Sequence, residues 1–386
     1  MKIALFTETF LPETDGIVTR LCATIDHLID LGHEVALITP DGAPAFYKSA
    51  PILSVKGFPY FFYPQKKFCP TSLKIGAFLR SFQPSLIHIV NPVVLGINGI
   101  YYARKMRLPL VASFHTNLAA YAHTYGVPFL DPVAWTYLRL LHNQATMNLA
   151  TSETMVHELN MRGFRNTRLW AGGVDTDLFH PRQYSAAMRT RLTRGNSEYP
   201  VLLYAGRLAP EKQLERLLPL LQTFETLHIA VVGDGPDRSR LQQLFANTNV
   251  EFLGVLHAEE LAAAYASADA FIFPSTTETL GLVLLESMSS GLPIIAAKSK
   301  PSEELVLQTH SGLLFDAKDE KALTNAVAML IAQPEMREQL SRQARAAIAM
   351  RSWENPTKKL IDYYESAIQT HRLHQSATTS DMDIPV

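Results

Sequence analysis

The chain alternates between short, almost continuous apolar runs and longer segments in which apolar residues recur every three or four positions. The short runs predict strands at Lys2–Thr7, Glu34–Thr39, Leu86–Val90, Leu110–Phe114, Val201–Ala205, Leu227–Val232, Val250–Leu253, Ala270–Phe273 and Ile294–Ala297. The longer segments predict helices near Gly16–Leu31, Leu95–Met106, Leu214–Phe224 and Arg238–Ala246. Strands that alternate with helices build parallel sheets covered on both faces, so the predicted fold class is α/β with two doubly wound, Rossmann-like domains.

The domain boundary is predicted beside the glycine pair Gly172 and Gly173, ahead of a polar stretch that leads into the second set of strands. This gives an N-terminal domain of residues 1–172 and a C-terminal domain of residues 173–355. An apolar-periodic segment at about 356–372 completes the N-terminal domain as a final helix. The polar tail 375–386 is expected to be disordered.

Composition excludes several classes of protein. The 386 residues are 47% hydrophobic and carry a net charge of −1, which suits a globular chain with no nucleic-acid partner. The two cysteines are too few for a disulfide framework, which favours a reducing compartment. No apolar run approaches the roughly 20 residues of a membrane-spanning helix, so any membrane contact should be peripheral.

The charge distribution indicates where such contact could occur. No acidic residue lies between Asp41 and Asp131, although the stretch contains nine basic residues. Aromatic residues cluster there around a lysine pair, and Phe61, Phe62, Lys66 and Lys67 are the predicted membrane-binding residues, because rings insert and ammonium groups meet lipid phosphates. The alternative is a buried loop with basic residues at its rim.

Two motifs in the first half follow predicted strands. The turn at Gly16 opens a helix whose N-terminus favours an anion, although an ordinary strand-to-helix turn would look the same. His115 follows the strand Leu110–Phe114 and could face a ligand at the carboxyl end of the sheet. A histidine at such a place is also often structural.

Two further motifs lie in the second half. Gly206, Arg207 and Lys212 follow a strand, and the two cations could neutralise a diphosphate, unless they are a solvated surface pair. Glu278 and Glu286 are eight residues apart, which separates them by about 80° on a helix. Between them, the amides of Thr279, Leu280, Gly281, Leu282 and Val283 form a helix N-terminus suited to phosphate.

With these motifs the chain resembles the retaining glycosyltransferases of family 4, which have the GT-B fold with two domains facing across a cleft. The resemblance rests on Glu278 with Glu286, on Arg207 with Lys212, on Gly16 and on Gly173–Pro181. It implies that Glu278 contacts the donor sugar, Glu286 the ribose, Arg207 and Lys212 the diphosphate and His115 the sugar near C6. It also implies that the glycine turn at Gly233 lines the nucleotide site.

A finer resemblance connects the segments 7–20, 39–42, 90–92, 99–103 and 142–144 with the cyanobacterial sulfolipid synthases. It implies transfer of sulfoquinovose from UDP-sulfoquinovose to diacylglycerol, at the cytoplasmic side of a plasma or thylakoid membrane. A sulfonate stays anionic and needs a cationic partner, so Arg20, one helical turn beyond Gly16, is the hypothesised sulfonate-binding residue together with His115.

Two alternatives remain open. One is a UDP-hexose-dependent transferase that acts on another lipid or on a polysaccharide acceptor, and the other is a non-catalytic nucleotide-sugar-binding protein. No cofactor or metal is predicted. The Asp175-Thr-Asp177 segment has the spacing of some divalent-ion sites, but its place at the domain boundary favours a turn-capping role.

Overall fold

The computed structural model describes residues 1–59, 67–70, 72–117, 128–279 and 281–380, and the chain divides into two compact units. Unit 1 contains Met1–Ala171 together with the C-terminal segment that begins at Trp353, and unit 2 contains Gly172–Ser352. The first boundary lies one residue before the predicted one, and the return to unit 1 comes three residues earlier than predicted.

Unit 1 is built on an eight-stranded sheet in the order β10-β9-β8-β7-β1-β2-β4-β3. Its strands are β1 (Lys2–Thr7), β2 (Glu34–Pro40), β3 (Phe46–Tyr47), β4 (Ala50–Val55), β7 (Leu86–Val90), β8 (Leu110–Phe114), β9 (Met147–Ala150) and β10 (Thr167–Leu169). All neighbouring pairs are parallel except β3 with β4. A separate antiparallel pair is formed by β5 (Phe58–Pro59) and β6 (Lys67–Phe68).

The helices of unit 1 cover both faces of this sheet. They are α1 (Gly16–Asp30), α2 (Leu73–Phe82), α3 (Leu95–Met106), α4 (Asp131–His142), α5 (Glu153–Met161) and α14 (Glu354–Ser380). Side chains of β1 point alternately to the two faces of the sheet, so neighbouring residues pack in different hydrophobic cores. Ile3 packs in a core with α1 and α14, whereas Phe6 packs in a core with α2 and α3.

The last helix corrects the prediction of a disordered tail for residues 375–380, whereas residues 381–386 lie outside the described residues. Helix α14 continues to Ser380, and two of its side chains reach the backbone of unit 1. The His371 ring nitrogen Nε2 donates to the carbonyl oxygen of Arg107 at 2.9 Å, and the Gln375 amide donates to the same oxygen at 3.2 Å. These contacts help to hold the polar end of the helix against the protein.

Unit 2 has a six-stranded, fully parallel sheet in the order β13-β12-β11-β14-β15-β16. Its strands are β11 (Val201–Ala205), β12 (His228–Val232), β13 (Val250–Gly254), β14 (Ala270–Phe273), β15 (Ile294–Ala297) and β16 (Gly312–Phe315). Its helices are α6 (Ala186–Leu192), α7 (Leu218–Thr223), α8 (Arg238–Leu244), α9 (Ala258–Ala266), α10 (Leu282–Ser289), α11 (Lys300–Thr309), α12 (Ala322–Ala332) and α13 (Pro334–Ile348).

The strand order of unit 2 determines which loops meet. Strands β12, β11 and β14 are neighbours and parallel, so the loops that follow them leave the sheet at the same edge. These loops begin at Gly233, Gly206 and Pro274, and they contain most of the predicted site residues of this unit. The carboxyl edge of the sheet is the usual ligand position in such folds.

Candidate active site

Two glycine turns of unit 2 pack against each other through their backbones. Gly206 has φ +150° and Gly233 has φ +126°, backbone conformations that residues other than glycine rarely adopt. The amide of Gly206 donates to the carbonyl oxygen of Val232 at 3.0 Å, and that of Leu208 donates to Asp234 at 2.9 Å. A Cβ at Gly233 would lie 2.0 Å from the carbonyl oxygen of Gly206, so glycine is required for this contact.

This packing places Arg207 at the carboxyl edge of the sheet. Its guanidinium group forms an ion pair with Glu211, whose side chain is completely buried, whereas Arg207 itself keeps 25% of its side-chain surface. The hydroxyl of Tyr204 donates to the carbonyl oxygen of Arg207 at 3.0 Å. A buried carboxylate thus fixes one side of a cation that remains partly accessible.

Lys212 and Glu278 form an ion pair of their own. The Nζ atom of Lys212 contacts the Oε1 atom of Glu278, and the side chains are 15% and 21% exposed. The loop that carries Glu278 is also tied to the Lys212 turn, because the Ser275 hydroxyl donates to the carbonyl oxygen of Glu211 at 3.2 Å. Two residues predicted to bind different parts of one donor are therefore in direct contact.

Helix α10 begins at Leu282, four residues after Glu278. Its N-cap is Gly281 in the left-handed conformation, with φ +72°, and no side chain of the described residues caps the helix. The amides of its first turn, which include those of Leu282 and Val283, are therefore not used by a capping side chain. A helix N-terminus in this state favours an anion. The preceding Thr279 is buried, and Leu280 lies outside the described residues.

Glu286 lies one turn further along α10 and has a different partner from Glu278. Its Oε2 atom accepts a hydrogen bond of 2.8 Å from the hydroxyl of Tyr265, which is fully buried. Burial raises the pKa of Glu286 from 4.5 to about 7, because desolvation disfavours the charged form more than the Tyr265 hydrogen bond favours it. Glu286 can therefore change its protonation state near neutral pH.

His115, a predicted site residue of unit 1, directly follows β8. The Nε2 atom of His115 is 2.8 Å from the Ser113 hydroxyl, and its ring meets that of Trp170 edge to face at 5.6 Å. Burial, with the nearby charge of Arg20, lowers the pKa of His115 well below 6.5. His115 is therefore a neutral imidazole at physiological pH.

Arg20 contacts mainly Trp170 and Ala171, the last residues of the N-terminal part of unit 1. Its side chain is 2% exposed and stacks on the Trp170 ring, with Cζ 3.9 Å from the ring centroid. Its Nη2 atom donates to the carbonyl oxygens of Trp170 and Ala171, at 2.7 Å for the latter. Burial lowers the pKa of Arg20 to about 9. These contacts anchor the residues that precede Gly172, and a role of Arg20 in sulfonate binding stays a prediction.

The turn at Gly16 differs from the expected anion site. The Oδ1 atom of Asp15 accepts hydrogen bonds of 3.0 Å from the amides of Ile17 and Val18, so a carboxylate of the chain already occupies this helix N-terminus. The expectation that this helix N-terminus binds an anion did not consider Asp15, and donor binding at Gly16 stays a prediction. Aspartate is a strong N-cap, and its charge opposes a second anion.

The predicted membrane-binding residues are only partly described. Phe61, Phe62 and Lys66 lie outside the described residues. Lys67 is described, and its Nζ atom donates to Asp41 at both the carbonyl oxygen (2.8 Å) and the carboxylate (3.1 Å).

The Asp175 carboxylate accepts from the amides of Asp177 and Leu178, which is the turn-capping role expected for it. Within the described ranges, no group of three or more His, Cys, Asp or Glu side chains could hold a metal ion. None of the described helices is long and apolar enough to cross a membrane.

Comparisons with known proteins cover both units. Residues 14–178 match the family described as Glycosyltransferase Family 4, and residues 192–347 match Glycosyl transferases group 1. A GDP-mannose-dependent alpha-mannosyltransferase of Mycolicibacterium smegmatis is 35% identical over 95% of this chain and 98% of its own length. The chain belongs to the family 4 glycosyltransferases.

Other relatives of this glycosyltransferase differ in the reactions that their names describe. Sulfoquinovosyl transferase SQD2 of Arabidopsis thaliana is 33% identical over 95% of this chain and 74% of its own length. Alpha-monoglucosyldiacylglycerol synthase of Streptococcus pneumoniae is 26% identical over 99% of this chain and 89% of its own length. Sucrose-phosphate synthase of Thermosynechococcus elongatus superposes with a TM-score of 0.81 at 20% identity, over 96% of this chain and 99% of that structure, which shows the GT-B fold.

The predicted family and fold are therefore confirmed, whereas the individual residue roles in this glycosyltransferase stay predictions. Glu211 and Tyr265, the partners of Arg207 and Glu286, were not predicted from the sequence. Glu211 could have been found, because it stands four residues after Arg207 and next to Lys212. Tyr265 lies on a helix far from Glu286 in sequence, and only the folded chain brings the two together.

Proposed function

We propose that this glycosyltransferase moves a hexosyl group from a nucleoside diphosphate sugar to a membrane lipid with retention of anomeric configuration. The observation that carries the proposal is the arrangement at the edge of the unit 2 sheet. Partly accessible Arg207, the Lys212–Glu278 pair and the uncapped N-terminus of α10 occur within loops that leave neighbouring strands. Such groups stabilise a diphosphate leaving group.

The proposed reaction breaks the bond between the anomeric carbon and the diphosphate oxygen and forms a bond from that carbon to the acceptor hydroxyl oxygen. The bonding electrons leave with the diphosphate, and Arg207, Lys212 and the α10 amides stabilise its added negative charge. The acceptor proton passes to an oxygen of the departing diphosphate. No side chain serves as a nucleophile in this proposal.

The Lys212–Glu278 pair has a specific role in this scheme. An incoming diphosphate attracts the Lys212 ammonium group more strongly than one carboxylate does, because it carries more charge. Glu278 then exchanges part of its contact with Lys212 for hydroxyl groups of the sugar. The ion pair in the structure would thus be the resting state, which keeps both groups oriented and balances their charges until the donor binds.

For the donor we propose UDP-sulfoquinovose and for the acceptor diacylglycerol, which would make the product a sulfolipid. Supporting observations are the segments that resemble sulfolipid synthases and the 33% identity with a sulfoquinovosyl transferase. GDP-mannose is the second candidate donor, favoured by the 35% identity with a mannosyltransferase named for it. Diacylglycerol as acceptor is supported further by the relative named as a glucosyldiacylglycerol synthase.

A lipid acceptor requires contact with a membrane, and one face of unit 1 suits that contact. We place it on α2, α3 and α4. The contact predicted through Phe61, Phe62, Lys66 and Lys67 stays a prediction, and the Lys67 ammonium group is paired with Asp41. Helix α4 exposes an apolar stripe at i, i+4 and i+7, formed by Val133 (61% exposed), Tyr137 (38%) and Leu140 (58%).

The charge of this face matches an anionic lipid surface. The exposed basic side chains on or next to the three helices are Lys74, Arg80, Arg104, Lys105, Arg107 and Arg139. Asp131 is the one acidic residue of the sequence between 42 and 152. Apolar side chains among basic ones are typical of surfaces that bind at the interface of anionic membranes, so we propose peripheral attachment through this face on the cytoplasmic side.

The donor proposal is tested by incubating the purified protein with diacylglycerol in liposomes and, separately, UDP-sulfoquinovose, UDP-glucose and GDP-mannose. We expect the highest kcat/KM with UDP-sulfoquinovose. A preference for GDP-mannose would replace the proposed donor by the second candidate. Turnover of no donor on any lipid, together with turnover on a soluble glucan, would refute the lipid acceptor.

The membrane proposal is tested by flotation with liposomes that contain phosphatidylglycerol. The double substitution Val133→Ser and Leu140→Ser should lower the bound fraction at least about tenfold, since each removes an apolar side chain that enters the interface. Leu307→Ser is the matched control, because Leu307 of unit 2 is equally exposed at 59%. Equal binding of both variants would refute the assignment of this face.

A further inference from the structure

A buried chain of hydrogen bonds connects the last helix of unit 1 with His115. The hydroxyl of Tyr364 on α14 is 2.7 Å from Nδ1 of His88, and Nε2 of His88 is 2.9 Å from the hydroxyl oxygen of Ser113. The same Ser113 oxygen is 2.8 Å from Nε2 of His115. Tyr364, His88 and Ser113 are each at most 1% exposed, so bulk solvent does not reach these contacts.

His88 and His115, the two histidines of this hydrogen-bond chain, are both neutral. Burial and the charge of Arg20 lower the pKa of His88 to about 3 and that of His115 well below 6.5. A neutral imidazole carries its proton on one ring nitrogen, and the other nitrogen accepts. Each ring therefore has one of two tautomers, and the hydrogen bonds determine which.

The direction of the chain follows from Tyr364. Burial raises the pKa of this phenol well above 10, so it keeps its proton. Among the described residues, His88 Nδ1 is the one hydrogen-bond partner of the Tyr364 hydroxyl. A buried hydroxyl without an acceptor is costly, so Tyr364 donates to His88 Nδ1. The proton of His88 is then on Nε2.

The position of the proton on His115 follows in the same way. The Nε2–H of His88 donates to the Ser113 oxygen, and Ser113 must place its own proton on an acceptor. Within the described chain, the remaining partner of the Ser113 hydroxyl is Nε2 of His115. If His115 also carried a proton on Nε2, the buried Ser113 proton would have no acceptor. His115 therefore accepts at Nε2 and carries its proton on Nδ1.

We propose that Tyr364, His88 and Ser113 are positioning residues that hold His115 as the Nδ1–H tautomer. With the function proposed above, on which this step rests, His115 meets the substrate as a hydrogen-bond donor to an oxygen atom and not as a base. The final helix thus contributes to the site through a relay, although Tyr364 is 276 residues from His88 in sequence.

The tautomers can be measured without substrate by nitrogen-15 NMR of the full-length protein labelled at histidine. Protonated and unprotonated ring nitrogens have well-separated shifts, and His88→Gln and His115→Gln variants assign the signals. We expect the proton on Nε2 in His88 and on Nδ1 in His115. A proton on Nε2 of His115 in the wild-type protein would overturn the proposal, whatever its enzymatic activity.

Two variants test whether the relay causes this state. Tyr364→Phe removes the hydroxyl that orients His88, and Ser113→Ala removes the link between the two rings. In either variant, the nitrogen-15 chemical shifts of the His115 ring should no longer be those of a pure Nδ1–H tautomer. Tyr363→Phe is the matched control, because that hydroxyl donates to the carbonyl oxygen of Leu169 outside the relay. Unchanged His115 shifts in both relay variants would overturn the proposal.

Turnover separates this inference from the proposed function. On the donor that the wild-type protein uses, Tyr364→Phe should lower kcat/KM about tenfold, as expected for a misdirected hydrogen bond, and Tyr363→Phe should stay within about twofold. Altered tautomers with unchanged turnover would overturn the role of the Nδ1–H group in the reaction. If no donor is turned over at all, the proposed function fails while the NMR result still stands.

Discussion

Helices begin differently at the carboxyl edges of the two sheets. In unit 1, Asp15 caps α1, and Glu8 accepts hydrogen bonds from the amides of Val94 at 2.7 Å and of Val93 and Gly96 at 3.2 Å, at the start of α3. In unit 2, α10 begins at Gly281 with no capping side chain among the described residues. Unit 1 neutralises these two helix ends with its own carboxylates, whereas the end of α10 has no capping side chain among the described residues.

This difference explains how two sheets of the same design can serve different ligands. A carboxylate at a helix N-terminus takes the amides and the favourable potential that a phosphate would use. The uncapped end of α10, close in sequence to Glu278, therefore has amides that a diphosphate could use. The same topology thus becomes an anion site or an ordinary helix start through one side chain.

The largest expected effect comes from the ion pair beside α10. Lys212→Ala and Glu278→Ala should each lower kcat at least about 100-fold, because each removes a preoriented group that stabilises charge or holds the sugar. Lys318→Ala, an exposed lysine of the same unit, should change kcat little and is the control. Near-normal kcat in either variant, with the melting temperature of the wild type, would contradict the assigned roles.

The second prediction concerns the pH dependence that Glu286 introduces. Its pKa is raised from 4.5 to about 7, so between these values the folded chain retains a proton that the unfolded chain has lost. The free energy of unfolding should therefore fall as the pH rises through this window. Glu286→Gln removes the titration and should gain on the order of 2 kcal/mol relative to the wild type between pH 4.5 and pH 8.

Urea unfolding at both pH values measures this difference. Glu338→Gln provides the control, because Glu338 is 71% exposed and the same substitution there should leave the pH dependence unchanged. A constant difference between Glu286→Gln and the wild type would show that the pKa of Glu286 is the same in the folded and the unfolded chain.

The third prediction concerns a substitution that adds to α10 an aspartate cap like that of α1. Gly281→Asp places a carboxylate at the open helix end and should weaken UDP binding about tenfold more than Gly281→Asn, because the two substitutions differ mainly in charge. Asp and Asn both tolerate the left-handed conformation of this position better than other side chains. Equal dissociation constants by calorimetry would mean that the diphosphate does not bind at this helix end.

The smallest effect is expected from the reverse change in unit 1. Asp15→Ala should lower the free energy of unfolding by about 1 kcal/mol through loss of the N-cap. It should leave the UDP dissociation constant unchanged, since the proposed nucleotide site is in unit 2. Chemical denaturation and calorimetry on the same preparation measure both quantities. Weaker UDP binding would show that the Gly16 turn takes part in donor recognition after all.

The fold was largely predictable from the pattern of the chain. Buried parallel strands are continuous apolar runs, and nine of the strands could be placed within about one residue. Short or partly exposed elements were missed, such as β4 and α2, because their apolar residues alternate with polar ones or stand beside aromatic clusters. The tail was misjudged because its helix is held by contacts with Arg107 that composition does not reveal.

The sequence by itself determined which residues could bind an anionic sugar donor, because Arg207, Lys212, Glu278 and Glu286 belong to recognisable segments. Only the tertiary structure decided how each is used. Lys212 pairs with Glu278 across 66 residues, Glu286 is raised in pKa by burial beside Tyr265, and Arg20 anchors Trp170 and Ala171. The physical reason is that partners, burial and hydrogen-bond direction depend on chain segments far apart in sequence, whereas strand and helix patterns are local.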